Sequence, residues 1–341
     1  MSENVLSTRF SQSYGVDHPF ACAGMAFAGM TPDLCIAVCQ AGGVGALGVG
    51  LTPPELLRQM IKGIRAAVGD KPFNINFITI FTEEAHIDVC AEEKAPVVSF
   101  HWGNPDRAFI DKLHAAGCKV WEQVGSVKAA IVAADSGVDV VIAQGSEAGG
   151  HNYGELPTFA QVPAIVDAVG DRTMVLASGG IADGRGVAAA LSLGADGVWV
   201  GTRLVASNEA FSHEEYKSRL VNAAGTDTVR TGIFGPEIKA FNPMRVLRNR
   251  VVAEYEGREN EAPDDTSDQP LVGETQLGPD AVPLRKFTNF VPMPATTGDF
   301  DEMPLLSGQG VGLVKSVEPA GEIIARMMAD AASILKRLNG G

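Results

Sequence analysis

Eight short apolar runs, each followed by a loop or turn and then a helix-length stretch, limit what this chain can fold into. The runs lie at Pro19 to Ala23, Val44 to Leu47, Phe73 to Ile80, Pro96 to Phe100, Cys118 to Glu122, Asp139 to Ala143, Thr173 to Ala177 and Gly197 to Val200. Between them, residues 32–41, 52–68, 82–93, 105–116, 126–136, 158–169 and 183–193 read as helices. Several of these stop at a glycine, among them Gly42, Gly117, Gly137, Gly170 and Gly194. Strands separated by single helices predict an all-parallel sheet with right-handed crossovers. A count of eight favours a closed (β/α)8 TIM barrel over an open doubly wound sheet. The composition agrees: 39 glycines suit many tight βα turns, and 6% aromatic residues leave a core of Val, Ile, Leu and Ala.

Beyond the eighth strand the rhythm changes. Ser212 to Ala224 and Asn242 to Glu256 read as helices, and Gly257 to Asp301 is rich in Pro, Gly, Asp, Glu and Thr with little periodicity. Val317 to Leu338 is an amphipathic helix that would return to close the outer ring. The expected organisation is a barrel unit, residues 1–205 with 305–341, carrying an insertion, residues 206–304, that is helical and then loop-rich.

A net charge of −14 excludes a basic nucleic-acid-binding surface, and no Lys/Arg cluster suggests a membrane surface. No apolar run reaches the ~18 residues that span a bilayer. Met1 to Arg9 lacks a basic region followed by an apolar one, so no secretory signal is expected. Cys22, Cys35, Cys39, Cys90 and Cys118 are odd in number and scattered, which fits free thiols in a reducing cytoplasm. Cys35 and Cys39 share a helix face but no His joins them, so no metal site is expected.

In a barrel of this kind the ligand site lies at the C-terminal ends of the strands. Strand one ends in Ala23-Gly24-Met25. Strand three carries Asn74 and Asn76, and strand four runs into His101-Trp102. Strand six runs into Gln144-Gly145-Ser146-Glu147-Ala148-Gly149-Gly150-His151. The glycines allow backbone N–H groups to approach an anion or a flat ring. His151 can move a proton near neutral pH. On its own the octet also fits a tight turn ending on an exposed histidine. Ala177-Ser178-Gly179-Gly180 and Gly201-Thr202, each before a helix, fit a phosphate site at the ends of strands seven and eight. Glu147 suits a structural partner for backbone N–H groups. Arg245, Arg248 and Arg250 suit a solvated or salt-bridged helix face.

These stretches, with Pro32 to Gly48, Pro72 to Phe77, Val98 to Pro105 and the late Gly308-Gln309-Gly310-Val311-Gly312 run, resemble the nitronate monooxygenase family, once called 2-nitropropane dioxygenases. The resemblance implies an FMN-dependent barrel that oxidises alkyl nitronates with O2 to carbonyl compounds and nitrite. It implies that Gly179, Gly180, Gly201 and Thr202, with Ser178 beside them, bind the FMN phosphate. Ala23, Gly24 and Met25 would pass beside the flavin ring. Asn76 and Gln144 would hydrogen-bond the ring or ribityl chain, and Gly149 and Gly150 would shape the loop over it. His151 would be the catalytic base or hydrogen-bond donor to a nitro or nitronate group. His101, by its position after strand four rather than by the resemblance, is a candidate residue of the substrate pocket, with a polar loop residue as the alternative. The family's Gln-Ala-Pro-Met at strand one is here Cys22-Ala23-Gly24-Met25. NAD(P)H-dependent flavin reductases acting on quinones or enoyl thioesters share this barrel and stand as the alternative. A barrel that simply binds a phosphorylated ligand is a third reading. A homo-oligomer is left open.

Overall fold

The computed structural model describes residues 5–340. Residues 1–4 of the N-terminal stretch examined for a signal, and residue 341 of the expected barrel unit, lie outside the described residues.

In chain order the barrel half contains α1 (Arg9–Tyr14), β1 (Phe20–Cys22), α2 (Pro32–Gln40), β2 (Gly45–Gly48), α3 (Pro54–Val68), β3 (Phe73–Ile78), α4 (Glu84–Glu92), β4 (Val97–His101), α5 (Arg107–Ala115), β5 (Lys119–Val124), α6 (Val127–Asp135) and β6 (Val140–Gln144). There follow β7 (Gly150–His151), α7 (Thr158–Val169), β8 (Met174–Ser178), α8 (Gly184–Ser192), β9 (Gly197–Val200) and α9 (Thr202–Val205). The remainder is α10 (Glu214–Asn222), β10 (Thr228–Thr231), β11 (Met244–Leu247), α11 (Arg250–Tyr255), β12 (Leu271–Leu277), β13 (Asp280–Arg285), β14 (Thr297–Gly298) and α12 (Ala320–Leu338).

The eight-stranded sheet runs β1-β9-β8-β6-β5-β4-β3-β2, with parallel neighbours. A parallel bridge between Ala21 and Val44 joins its two ends, so the sheet closes on itself as a (β/α)8 barrel. All eight sequence-derived strands are present. Two-residue alternation sorts their side chains. Val97, Trp121, Val140, Ile142, Leu176 and Trp199 fill the interior, while Val98, Phe100, Val120, Val141, Val175 and Val198 pack outward against the helices.

The helix α1 was not legible as an element. Thr8 caps it reciprocally with Ser11. Its Phe10 enters the interior cluster beneath Trp121, and Tyr14 Oη accepts from Trp121 Nε1 at 2.6 Å. Arg9 holds both oxygens of Asp196 at 2.7 Å. The helix therefore plugs the end of the barrel from which the strands start, which leaves the opposite mouth for ligands. The last helix packs Ile323, Ile324, Met327 and Met328 into the outer shell. A Cβ on Gly184 would stand 2.5 Å from Asp330 Cβ, so α8 and α12 approach closely because that residue is glycine.

The excursion after β9 departs from the expected pair of helices. Residues 242–256 form β11 and then α11, with Asn249 capping α11 through Val252 N. The strand arises from tertiary pairing: β11 lies antiparallel between β10 and β7. Residues 257–301, read as loop-rich, contain a three-stranded antiparallel sheet, β13-β12-β14. Pro283 and the exposed polar residues of these strands blur any alternation.

Candidate functional site

The strands deliver their last inward residues to one cavity of about 460 Å³ at the C-terminal mouth. Ala23, Gly24, Met25, Asn76, His101, Gln144, Gly149, Gly150, His151, Ser178, Gly179, Gly180, Gly201 and Thr202 all line it. Every residue named for catalysis, cofactor binding or the substrate pocket is thus brought to a single space. So are Gln123, Phe241, Gly308 and Gly310, none of which was singled out as a site residue.

On one side lie glycines in backbone conformations that other residues adopt at a cost. Gly179 and Gly180 have φ of +111° and +72°. Their amides donate to no protein group among the described residues. The Thr202 hydroxyl accepts from Gly308 N at 3.0 Å, which ties the late glycine run to the end of β9. A Cβ on Gly24 would fall 2.0 Å from Asn76 Cγ, so chain and asparagine meet there without room for a side chain. Ser99 Oγ accepts from Asn74 Nδ2 and Asn76 Nδ2, each at 2.8 Å, fixing both amides. Gln144 is buried. Its Nε2 donates to His151 O at 3.1 Å, and its Oε1 has no hydrogen-bond partner.

The Gly-Gly-His loop is clamped from below. Glu147 accepts from Thr158 N at 2.6 Å, the backbone role expected of it. Arg248 and Arg250 pair with Glu256 and with Asp299 and Glu302 on the surface. Arg245 is different: it is buried, and its Nε and Nη2 donate to Ser146 O at 3.1 and 2.9 Å. The register pairs Arg245 with Gly150 and Met244 with His151, so the excursion after β9 builds the far wall of the site.

His151 stacks on Phe241 with centroids 3.4 Å apart, and its Nδ1 hydrogen-bonds the Phe241 carbonyl. A carbonyl accepts, so Nδ1 carries the proton and Nε2 carries a lone pair. Burial, then neighbouring His101, lower this imidazole to about 3 despite the carbonyl's opposing effect. His101, at the end of β4, is lowered to about 4 by burial. Both rings are therefore neutral at physiological pH. The segment carrying Phe241 is tied down by Trp102 Nε1, which donates to Ala240 O at 2.6 Å. A carbonyl carries no side-chain signature, so nothing in the sequence pointed to Phe241.

Glu122 alternates with Gln123 and points outward, lining a second, open cavity of about 620 Å³ with Trp102, Lys128 and Tyr153. Burial pushes its carboxyl up to about 8, against one hydrogen bond from Asn104 Nδ2 at 2.9 Å. Its folded pKa lies above the ordinary 4.5, so its burial cost is absent below pH 4.5, grows between pH 4.5 and 8, and levels off above that. Glu122→Gln is expected to raise Tm, by roughly 1–2 °C for each kcal/mol recovered in a chain of this length. The gain should grow between pH 4.5 and 8; a gain independent of pH would contradict a neutral Glu122.

Among the described residues no helix is long and apolar enough to cross a membrane. The five cysteines are buried and free.

A closed barrel with a cavity of this make-up at its mouth defines a ligand-binding barrel of the (β/α)8 class. The nitronate monooxygenase family profile matches residues 78–330. A probable nitronate monooxygenase of Staphylococcus aureus (strain Newman) is 30% identical over 373 aligned positions, covering 96% of this chain and 98% of the relative. FabK from Thermotoga maritima superposes with a TM-score of 0.80 at 35% identity, covering 98% of this chain and 99% of that one. A nitroalkane oxidase from Streptomyces ansochromogenes superposes with a TM-score of 0.77 at 26% identity, covering 95% and 98%. The chain belongs to the nitronate monooxygenase family and is a flavin-dependent oxidoreductase.

Proposed function

We propose that this chain is an FMN-dependent nitronate monooxygenase, converting alkyl nitronates and O2 to carbonyl compounds and nitrite. The observation that carries the reading is His151: a neutral imidazole whose Nε2 lone pair has no protein partner and opens on a cavity floored by glycine amides.

The residues present fit a flavin mononucleotide. The free amides of Gly179 and Gly180, with Gly201, Thr202 and Ser178, would hold its phosphate. The orphaned Gln144 Oε1 would accept from a ring or ribityl donor, and Asn76 would bond the same group. Ala23, Gly24 and Met25 would leave flat space beside the ring, and Gly149 and Gly150 would shape the loop over it. When bound, the flavin supplies the electron acceptor for the nitronate and the route by which oxygen is engaged. The protein's own part is to exclude water, orient the substrate and handle one proton. For a neutral nitroalkane, His151 Nε2 would take the α-proton. An imidazole held near 3 is a weak base until negative charge develops beside it. Pre-formed nitronates are therefore the better substrates.

Incubation in air with the nitronate of nitroethane is expected to release nitrite with oxygen uptake, from protein that yields FMN on heating. Tight FMN binding with no nitrite would sink the reaction and keep the cofactor. An NAD(P)H-dependent flavin reductase acting on quinones or enoyl thioesters is the second reading. It is favoured by the higher identity to FabK, 35%, than to the nitroalkane oxidase, 26%.

A further inference from the structure

His101 and His151 are a pair of opposite polarity. His101 is the last residue of β4, in register with Gln123 of β5, and both side chains turn into the cavity. Its Nδ1 stands 2.9 Å from Gln123 Nε2. An amide nitrogen donates, so His101 Nδ1 accepts, and in the neutral ring the proton sits on Nε2. His151 is the reverse: Nδ1–H is engaged by the Phe241 carbonyl and Nε2 is the acceptor. The two rings share their neighbours. His101 lies 5.6 Å from Trp102 and 6.4 Å from Phe241, and His151 lies 5.8 and 3.4 Å from the same rings. Trp102 donates to Ala240 O, and Tyr153 Oη donates to Gln123 O at 3.1 Å, so both sides of the pair are braced.

We propose that His101 Nε2–H is the hydrogen-bond donor to the substrate's oxygen pair, opposite the proton-accepting Nε2 of His151, so that the site selects small molecules with a planar two-oxygen head, nitro, nitronate or carboxylate, on an acidic carbon. This rests on the reading of the site as one for nitronates and adds the group that recognises them. On a neutral nitroalkane the step balances within the pair. The α-C–H bond breaks and its proton passes to His151 Nε2. The electron pair becomes the C=N bond, and the N=O pair moves onto the oxygen that faces His101. The His101 hydrogen bond strengthens as that charge grows, which is where a donor in a dry site acts most. Gln123 is a positioning residue: its amide keeps His101 from presenting a lone pair to the same oxygen.

Two measurements test the assignment. The first is the ¹⁵N imidazole spectrum of the holoenzyme, whose six histidines can be assigned through single variants. His101 should appear as the Nε2–H tautomer and His151 as the Nδ1–H tautomer, both neutral at pH 6. Added propionate, isosteric with the nitronate of nitroethane, should move both sets of signals. A His101 protonated on Nδ1, with the Gln123 amide turned over, would overturn the proposal. The second is the turnover of nitroethane. His101→Phe should lower kcat about 10²–10³-fold, the scale of one such donor. His101→Gln, whose amide reaches the place of Nε2–H, should regain at least about tenfold of it. Equal damage from both variants would overturn the donor role. If the tautomers are as stated and propionate binds while the parent enzyme turns over no nitronate, the polarity of the pair is upheld and the nitronate reaction fails.

Discussion

His151→Asn is expected to leave flavin bound and to cut turnover of neutral nitroalkanes by about 10²–10⁴-fold, the range of a positioned general base. Asparagine is chosen for a geometric reason. Its amide nitrogen takes the place of Nδ1 and can still donate to the Phe241 carbonyl, so the contact with the excursion after β9 persists. What disappears is Nε2, the atom that faces the cavity. Pre-formed nitronates need no proton removed, so their turnover should fall much less. Equal loss on both substrates would refute the base role. The parent enzyme's pH profile carries the same information. Burial holds His151 near 3, so its free base is fully present from pH 5 to 7, and kcat/KM for a neutral nitroalkane should be flat there. An acid limb near pH 6.5 would mean an ordinary, solvated histidine.

Gly179→Ala should weaken the protein's hold on its flavin. The residue sits at φ +111°, and an added Cβ would meet Thr158 Oγ1 at 2.8 Å and Ala148 N at 3.1 Å. Thr158 cannot simply turn away, since its hydroxyl donates to Gly179 O at 2.9 Å. The loop can relax in the empty protein but must regain its shape around a phosphate. Strain of about 1–3 kcal/mol then appears as weaker binding, roughly tenfold or more in the dissociation constant of FMN. Gly117→Ala is the control. Its φ is +86°, and nothing lies within 4 Å of the added Cβ, at the end of α5 away from the cavity. It should lower Tm and leave FMN affinity unchanged. Unaltered FMN binding by Gly179→Ala would remove this loop from the phosphate site.

The barrel was readable because each strand is a short apolar run and the turns after its helices need glycine, at Gly42, Gly117, Gly137 and Gly194 with φ of 84–92°. The site was readable for the same reason, since glycines at strand ends are side-chain information about backbone approach. The excursion after β9 was not. Met244 to Leu247 is four residues of mixed polarity, too short to show a period, and becomes a strand only by lying against β10 and Gly150-His151. Phe241 holds His151 Nδ1 through its carbonyl, which every residue type possesses, and its ring reaches the imidazole only through tertiary packing. Arg245 looked like its surface neighbours Arg248 and Arg250, and burial alone separates them. His101 was placed near the substrate by its strand position, but its polarity depends on Gln123, 22 residues away.

The central claim is that this flavin barrel takes electrons from nitronates. Anaerobic mixing of the holoenzyme with an alkyl nitronate, and separately with NADH or NADPH, tests it most directly. Bleaching of the flavin absorbance by the nitronate and not by the nicotinamide is the predicted result, with nitrite released once air is admitted. Rapid bleaching by NADH or NADPH alone would contradict it and assign the protein to the flavin reductases of the same barrel.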